Sequence, residues 1–198
     1  MISDHQKPTQ IILASNSKQR KLMMDALGIA YTVIPADIDE KIIRDKNFEL
    51  RAEKIARAKA ERVAEANEGI VISADTFCAC DGIVLEKPRS QNEACEMLKL
   101  QANKNCTLYT GFCYLDRNNS IDFSKTTLTK YEFRKLSDEE ISEFVMNNPV
   151  TEWAAAFSPA YTYQLGFIEK IEGSLTGCTH GLPVELLVPC LEKSGIKI

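Results

Sequence analysis

Ser15 and Arg20 are the first residues whose types and spacing point to chemistry. They lie in the stretch Ile11-Ile12-Leu13-Ala14-Ser15-Asn16-Ser17-Lys18-Gln19-Arg20, where an apolar run gives way to small polar residues and then to cations. Such a loop at a helix start offers unpaired backbone N–H groups and the positive end of the helix dipole. With Arg20 one turn in, it can hold a phosphate or another anion. The same residues also suit an ordinary capped strand-to-helix connection, and this stretch alone favours that plainer reading. Carboxylates and lysines recur further on: the acidic loop Asp37-Ile38-Asp39-Glu40, Lys59 in an Ala/Glu/Lys/Arg-rich segment, Asp75 after the apolar run 70–74, and Glu86-Lys87 after an Asp81-Gly82 turn.

The elements that must position these groups are legible as a mixed α/β pattern. Residues 11–14 read as a strand. Leu22, Met23, Ala26 and Leu27 recur at helical spacing before Gly28, so a helix follows the loop. Tyr31–Ile34 reads as a second strand, and 49–66 as a helix ending near Asn67 and Gly69. A lysine on such a helix is ordinarily a solvated cation. The run Ile70–Ala74 predicts a buried strand with Asp75 at its C-terminal end, where open α/β sheets often place functional groups; an acid there also serves as a turn former. Asp81-Gly82 predicts a hairpin pairing 76–80 with 83–85, which returns Glu86 and Lys87 toward Asp75.

Ser90–Glu93 and Ser137–Glu140 have the spacing of capping boxes that open two helices. Residues 107–115 and 126–133 read as strands. In the last quarter, 161–163 and 167–171 read as two strands near Gly166. A terminal helix starts at Gly181-Leu182-Pro183, with Pro189 expected to kink or end it.

The chain has 198 residues, 44% of them hydrophobic, enough for a sizeable core in one domain or two closely joined lobes. Residues 1–10 are polar and are expected to be a mobile extension. No run approaches a membrane span, and Met1–Gln10 has no signal-peptide apolar region, so a cytoplasmic location and no membrane partner are expected. The net charge of −4 argues against stable nucleic-acid binding. Seven cysteines without a C-x-x-C pair, and only two histidines, argue against a zinc site. Cys78 and Cys80 are expected on one sheet face as small buried hydrophobes.

Several short strings together resemble the Maf family of nucleoside triphosphate pyrophosphatases. They are Leu13-Ala14-Ser15-x-Ser17-x-x-Arg20 with Leu27-Gly28, Asp39-Glu40, Ala74-Asp75-Thr76, Glu86-Lys87-Pro88, Tyr109-Thr110-Gly111, Ile171-Glu172-Gly173 and Gly181-Leu182-Pro183. Their order and spacing match from about residue 11 to about residue 187. The resemblance implies an elongated mixed-sheet α/β fold, in the broad class of inosine triphosphate pyrophosphatases, with a cleft between two lobes. It implies hydrolysis of a nucleoside triphosphate to the monophosphate and pyrophosphate with Mg²⁺ or Mn²⁺, by a protein that is often a homodimer. Residue by residue, Ser15 and Arg20 match phosphate-contacting positions, and Lys59 matches the family's substrate-binding helix lysine before Ala60. Asp75, Glu40 and Lys87 match the catalytic set, with Glu40 and Asp75 toward the metal. Gln164 matches a base-contacting glutamine across a gap. The base preference leans to dTTP and UTP, with 7-methyl-GTP as the other branch. A nucleotide-binding or regulatory protein of cell division with weakened catalysis is the competing class.

Two departures bear on activity. The family's Ser-Pro-Arg-Arg is here Ser17-Lys18-Gln19-Arg20, and Ala156-Phe157-Ser158-Pro159 replaces a shorter, glycine-bearing approach to the base pocket. Gln19 cannot neutralise a phosphate, and Lys18 supplies a point charge without bidentate geometry. Gln19→Arg should therefore raise kcat/KM for the preferred triphosphate, by about 1–3 kcal/mol of charge-assisted contact, and leave the melting temperature nearly unchanged. Equal or lower kcat/KM in steady-state assays would show that Lys18 or another cation already fills the role.

Overall fold

The computed structural model describes residues 9–102, 104–160 and 162–198. Its centre is a seven-stranded mixed sheet of β1 (Ile11–Leu13), β2 (Thr32–Val33), β3 (Ile70–Cys80), β4 (Ile83–Leu85), β5 (Cys106–Asp116), β6 (Ile121–Phe133) and β7 (Ile168–Gly173), in the order β2-β1-β3-β5-β6-β7 with β4 beside β3. β1 runs parallel to β2 and β3, and all other pairings are antiparallel. The helices are α1 (Lys18–Ala26), α2 (Phe48–Ala64), α3 (Gln91–Gln101), α4 (Asp138–Asn147), α5 (Leu175–His180) and α6 (Val184–Lys193). The class is the mixed α/β expected from the sequence. No described helix is long and apolar enough to cross a membrane.

Strand alternation divides the core. Ile70, Ile72 and Ala74 pack with Met24 of α1 and Leu187 and Leu191 of α6. Val71, one residue out of phase, packs with Ala56, Ala60 and Val63 of α2. A third cluster joins Cys78, Leu98, Phe144 and Trp153 beyond the hairpin. Small residues on α2 let its backbone come close to the sheet: Ser73 Oγ donates to the Ala56 carbonyl at 2.5 Å, and a Cβ on Gly111 would lie 2.0 Å from the Ala52 carbonyl oxygen. Gly111 is the cross-strand partner of Asp75, so this close approach sets the height of α2 above that residue.

The pairing also leaves a gap. One edge of β3 is paired with β5 along its whole length, while the other pairs with β1 only at Ile70–Ile72 and with β4 only at Cys78–Cys80. Ser73–Phe77 therefore has no strand partner on that edge, and Asp75 sits at its middle. Asp75 was expected at a strand's C-terminal end; instead β3 runs unbroken to Cys80, and it is β1 that ends. The Asp81-Gly82 turn forms as expected, with φ of 49° and 79° at its two residues.

Local signals held to differing degrees. Ser137 and Glu140 form a complete capping box, whereas at α3 Ser90 caps Glu93 N–H but Glu93 turns back to Arg89 N–H. The strand expected at 161–163 is instead part of a 3₁₀ stretch over Thr162–Phe167, and the second strand begins at Ile168; residue 161 lies outside the described residues. Pro189, expected to kink or end α6, does not end it: the helix runs on to Lys193, with burial of Leu187, Cys190 and Leu191 offsetting the one backbone bond a proline removes. The separate helix α5 was not foreseen. Cys80, expected as a free buried thiol, pairs with Cys106 in a disulfide, since antiparallel register sets the two directly opposite with a Cα separation of 4.4 Å. The extension expected over 1–10 falls outside the described residues except Thr9 and Gln10, and Gln10 accepts from Ile70 N–H.

Gly111→Ala tests the helix-on-sheet contact. The added methyl meets backbone rather than a side chain that can move aside, so α2 must lift. We expect a loss of about 1–3 kcal/mol or more in urea unfolding, together with loss of activity because α2 carries Lys59. A stable, active variant would show that α2 is free to shift without cost.

Candidate active site

The gap in β3 opens into a cleft of about 900 Å³. Side chains reach it from both faces of the sheet. Asp75 projects to the face covered by α2, where Lys59 Nζ lies 2.8 Å from Asp75 Oδ1 and 2.8 Å from Glu40 Oε1. Lys59 and Asp75 are buried; Glu40, on a 3₁₀ turn at Glu40–Ile42 capped by Asp39, is half exposed. A buried ammonium is tolerable only when charges and hydrogen bonds compensate it, and here two carboxylates share one. The helical lysine is thus not the solvated cation its segment would ordinarily present.

Arg20 enters from the opposite face. Its Nη1 donates to Ser15 Oγ at 2.9 Å, its Nε to the Gly181 carbonyl at 2.9 Å and its Nη2 to Thr76 Oγ1 at 3.4 Å. Thr76 Oγ1 donates onward to Thr110 Oγ1, and that hydroxyl to the Gly177 carbonyl. Gly181 stands at φ +63°, and a Cβ there would lie 2.9 Å from Thr76 Oγ1, so a side chain would press on this clamp. Burial pushes the guanidinium down from its ordinary value, against the opposing pull of Asp75 and Glu40; it remains a cation at neutral pH. Ser17 caps α1 by accepting from Arg20 N–H, and Ser15 Oγ accepts from Ser17 N–H, so the loop is organised before any anion arrives.

Lys87 lines the cleft from the far side of the gap, just after β4. Six of the seven residues singled out from the sequence, Ser15, Arg20, Glu40, Lys59, Asp75 and Lys87, therefore border one cleft. Gln164 does not. It is enclosed behind the wall, with Oε1 accepting from Ser158 N–H at 2.9 Å and Nε2 without a partner among the described residues. Gln19 lies on the cleft, where its Oε1 accepts from Ser17 Oγ.

Of the remaining lining, the sequence marked only Phe157 and Ser158-Pro159, through the departure at the approach to the base pocket. Leu108, Tyr131, Trp153, Phe157 and Cys178 line the same cleft with apolar surface. Burial holds the Cys178 thiol protonated, pushed up to about 12. His180 also faces the cleft, with Nδ1 against Thr179 Oγ1 and its pKa lowered by burial. These residues come from four separate elements or loops, and apart from Phe157 nothing local in the sequence marks them. Charge on one side and aromatic surface on the other suit an anionic ligand carrying a flat apolar group.

Removing the shared ammonium should be severe. Lys59→Met leaves the carboxylates of Asp75 and Glu40 facing each other, one of them buried, and breaking a buried pair costs about 3–5 kcal/mol. Denaturant titration at neutral pH checks this; a loss below about 1 kcal/mol would make the pair a surface-like contact of little weight.

The family model described as Maf-like protein matches residues 10–194. A "dTTP/UTP pyrophosphatase" from Syntrophomonas wolfei is 33% identical over 94% of this chain and 98% of its own length. One from Treponema denticola is 35% identical over 96% and 98%. Among solved structures, the Staphylococcus aureus Ham1 protein matches 93% of this chain and 99% of its own with a TM-score of 0.52 at 17% identity, a likeness of fold. With the family model spanning nearly the whole described chain and near full-length relatives above 30% identity, the chain belongs to the Maf-like protein family.

Proposed function

We propose that this protein is a nucleoside triphosphate pyrophosphatase that cleaves dTTP and UTP between the α- and β-phosphates, with Mg²⁺ or Mn²⁺ as cofactor. The observation that carries the reading is the single ammonium of Lys59 shared by Asp75 and Glu40, on the same cleft as the Ser15–Arg20 anion loop. The relatives named as dTTP/UTP pyrophosphatases support the substrate class.

In this reading the α1 N-terminus, Ser15 and Arg20 hold the phosphate tail, and Lys59 and Lys87 offset charge on the oxygens nearer the reaction. The two carboxylates at an open cleft are a donor set that suits a hard divalent cation. Glu40 and Asp75 would hold such an ion, which would neutralise phosphate oxygens and acidify water when bound. Asp75 orients the attacking water and takes up its proton. The water oxygen bonds to the α-phosphorus as the bond to the bridging oxygen breaks, and pyrophosphate leaves with that oxygen. The apolar wall of Tyr131, Trp153 and Phe157 takes the base. Gln164, whose Nε2 has no partner among the described residues, reads a base carbonyl once the Ser158 turn yields. The protein acts in the cytoplasm as a homodimer with no nucleic-acid partner.

Gln19 favours one other reading, a nucleotide-binding regulator with weakened catalysis. Purified protein incubated with dTTP, UTP or 7-methyl-GTP and Mg²⁺ or Mn²⁺ separates the two. Pyrophosphate and monophosphate from dTTP and UTP, abolished by chelator, are expected. Binding without turnover supports the regulator, and preference for 7-methyl-GTP overturns the base assignment. Asp75→Asn keeps shape and removes charge, so kcat should fall by at least about 10²-fold in a folded protein. Full activity of that variant would return Asp75 to a structural role.

A further inference from the structure

Ala155 and Ala156 stand next to each other in the left-handed region, at φ +55° and +56°; Ala155 lines the cleft beside Trp153 and Phe157, and Ala156 is buried behind it. Side chains with a Cβ rarely adopt that conformation, and two in succession persist only where surrounding contacts over-determine them. The contacts are identifiable. Ala155 N–H donates to the Glu86 carbonyl at 3.0 Å, immediately before Lys87. The Ala155 carbonyl accepts from Gln101 Nε2 at 2.6 Å.

Gln101 is 1% exposed, at the end of α3. Its orientation follows from its partners. Nε2 faces two carbonyl oxygens, of Ala155 and Met97, which can only accept, so the other terminal atom must be the oxygen. That oxygen accepts from Tyr131 O–H at 2.6 Å. With its proton committed there, Tyr131 Oη receives the Cys78 thiol at 3.1 Å. A buried, one-directional chain therefore runs from Cys78 through Tyr131 and Gln101 to the Ala155 carbonyl. It ties the body of the sheet to the strained turn, and Tyr131 and Ala155 both border the cleft.

We propose that Gln101 is a positioning residue for nucleotide recognition: through its bond to the Ala155 carbonyl it holds the left-handed Ala155–Ala156 turn that shapes the apolar wall, without touching substrate. The substrate part of this proposal rests on the hydrolase reading above; the backbone part does not. Truncating the amide bond while keeping the chain's volume should loosen the turn and blunt ground-state binding, leaving the chemistry at Asp75 intact.

The test uses full-length Gln101→Met, with Gln101→Leu as a second variant that also removes both amide groups at nearly the same volume and lies off the cleft. Amide hydrogen exchange at 155–158 is expected to be at least about ten-fold faster than in the unsubstituted protein, with α2 unaffected. KM for the preferred triphosphate is expected to rise about ten-fold with kcat within about two-fold. In an Ala155→Gly/Ala156→Gly background, where the backbone no longer needs forcing, the same Gln101→Met change is expected to alter KM by about two-fold or less. Unchanged exchange at 155–158, a fall in kcat with KM constant, or an undiminished Gln101→Met effect in the diglycine background would each overturn the proposal. Absence of turnover in the unsubstituted protein would overturn the hydrolase reading alone, and exchange would then decide the role of Gln101.

Discussion

The structure depends on a buried ammonium, that of Lys59, being held against two carboxylates at a break in a β-sheet. A lysine so placed is costly unless its charge is balanced, and balance requires that a helix and a strand approach to hydrogen-bonding distance. Small residues make that approach possible: Ala52 and Ala56 on the helix, and Gly111 opposite Asp75 in the sheet. The packing geometry and the electrostatics of the site are therefore one constraint. Any change that lifts α2 separates Lys59 from Asp75, and any change that removes the charge on Lys59 leaves a buried carboxylate unpaired.

The break in the sheet explains why groups from both faces meet. A continuous strand pair beside Ser73–Phe77 would have separated the α2 side from the α1 side. Because β1 stops at Leu13 and β4 begins pairing only at Cys78, Asp75 and Thr76 share an open edge although their side chains leave opposite faces. Asp75 meets Lys59, Thr76 meets Arg20, and the loop after β4 brings Lys87. The aromatic wall closes the far side, supported by the Gln101–Tyr131 chain. This arrangement gives a phosphate tail and a base different surroundings within one cleft.

Much of this was legible residue by residue, and the limits have physical causes. The loop at Ser15–Arg20, helix α2, the Asp81-Gly82 turn and the Ser137 capping box are local features, set by propensity, caps and turn chemistry, and they formed where expected. Asp75 was misplaced along its strand because a buried strand and a strand followed by a hairpin share one apolar pattern; only the termination of β1, a tertiary fact, creates the opening. The pairing of Cys80 with Cys106 depends on strand register across 26 residues. Residues 162–163 were misread as strand because aromatic residues favour strands only where a neighbouring strand is available. Meeting of the six charged or polar cleft residues was implied by the family resemblance and not by spacing, and of the apolar wall only Phe157 was marked, by the same resemblance.

If Lys59 and Asp75 act as one unit, their contributions to turnover cannot be independent. The direct measurement is a double-mutant cycle on kcat/KM for dTTP, comparing Lys59→Met, Asp75→Asn and the two combined. Each single change is predicted to remove most of the activity, and the double variant to be no more than a few-fold, about half a kcal/mol to 1 kcal/mol, below the worse single. Losses that multiply would contradict the account, since they would mean that the lysine and the aspartate serve the reaction separately.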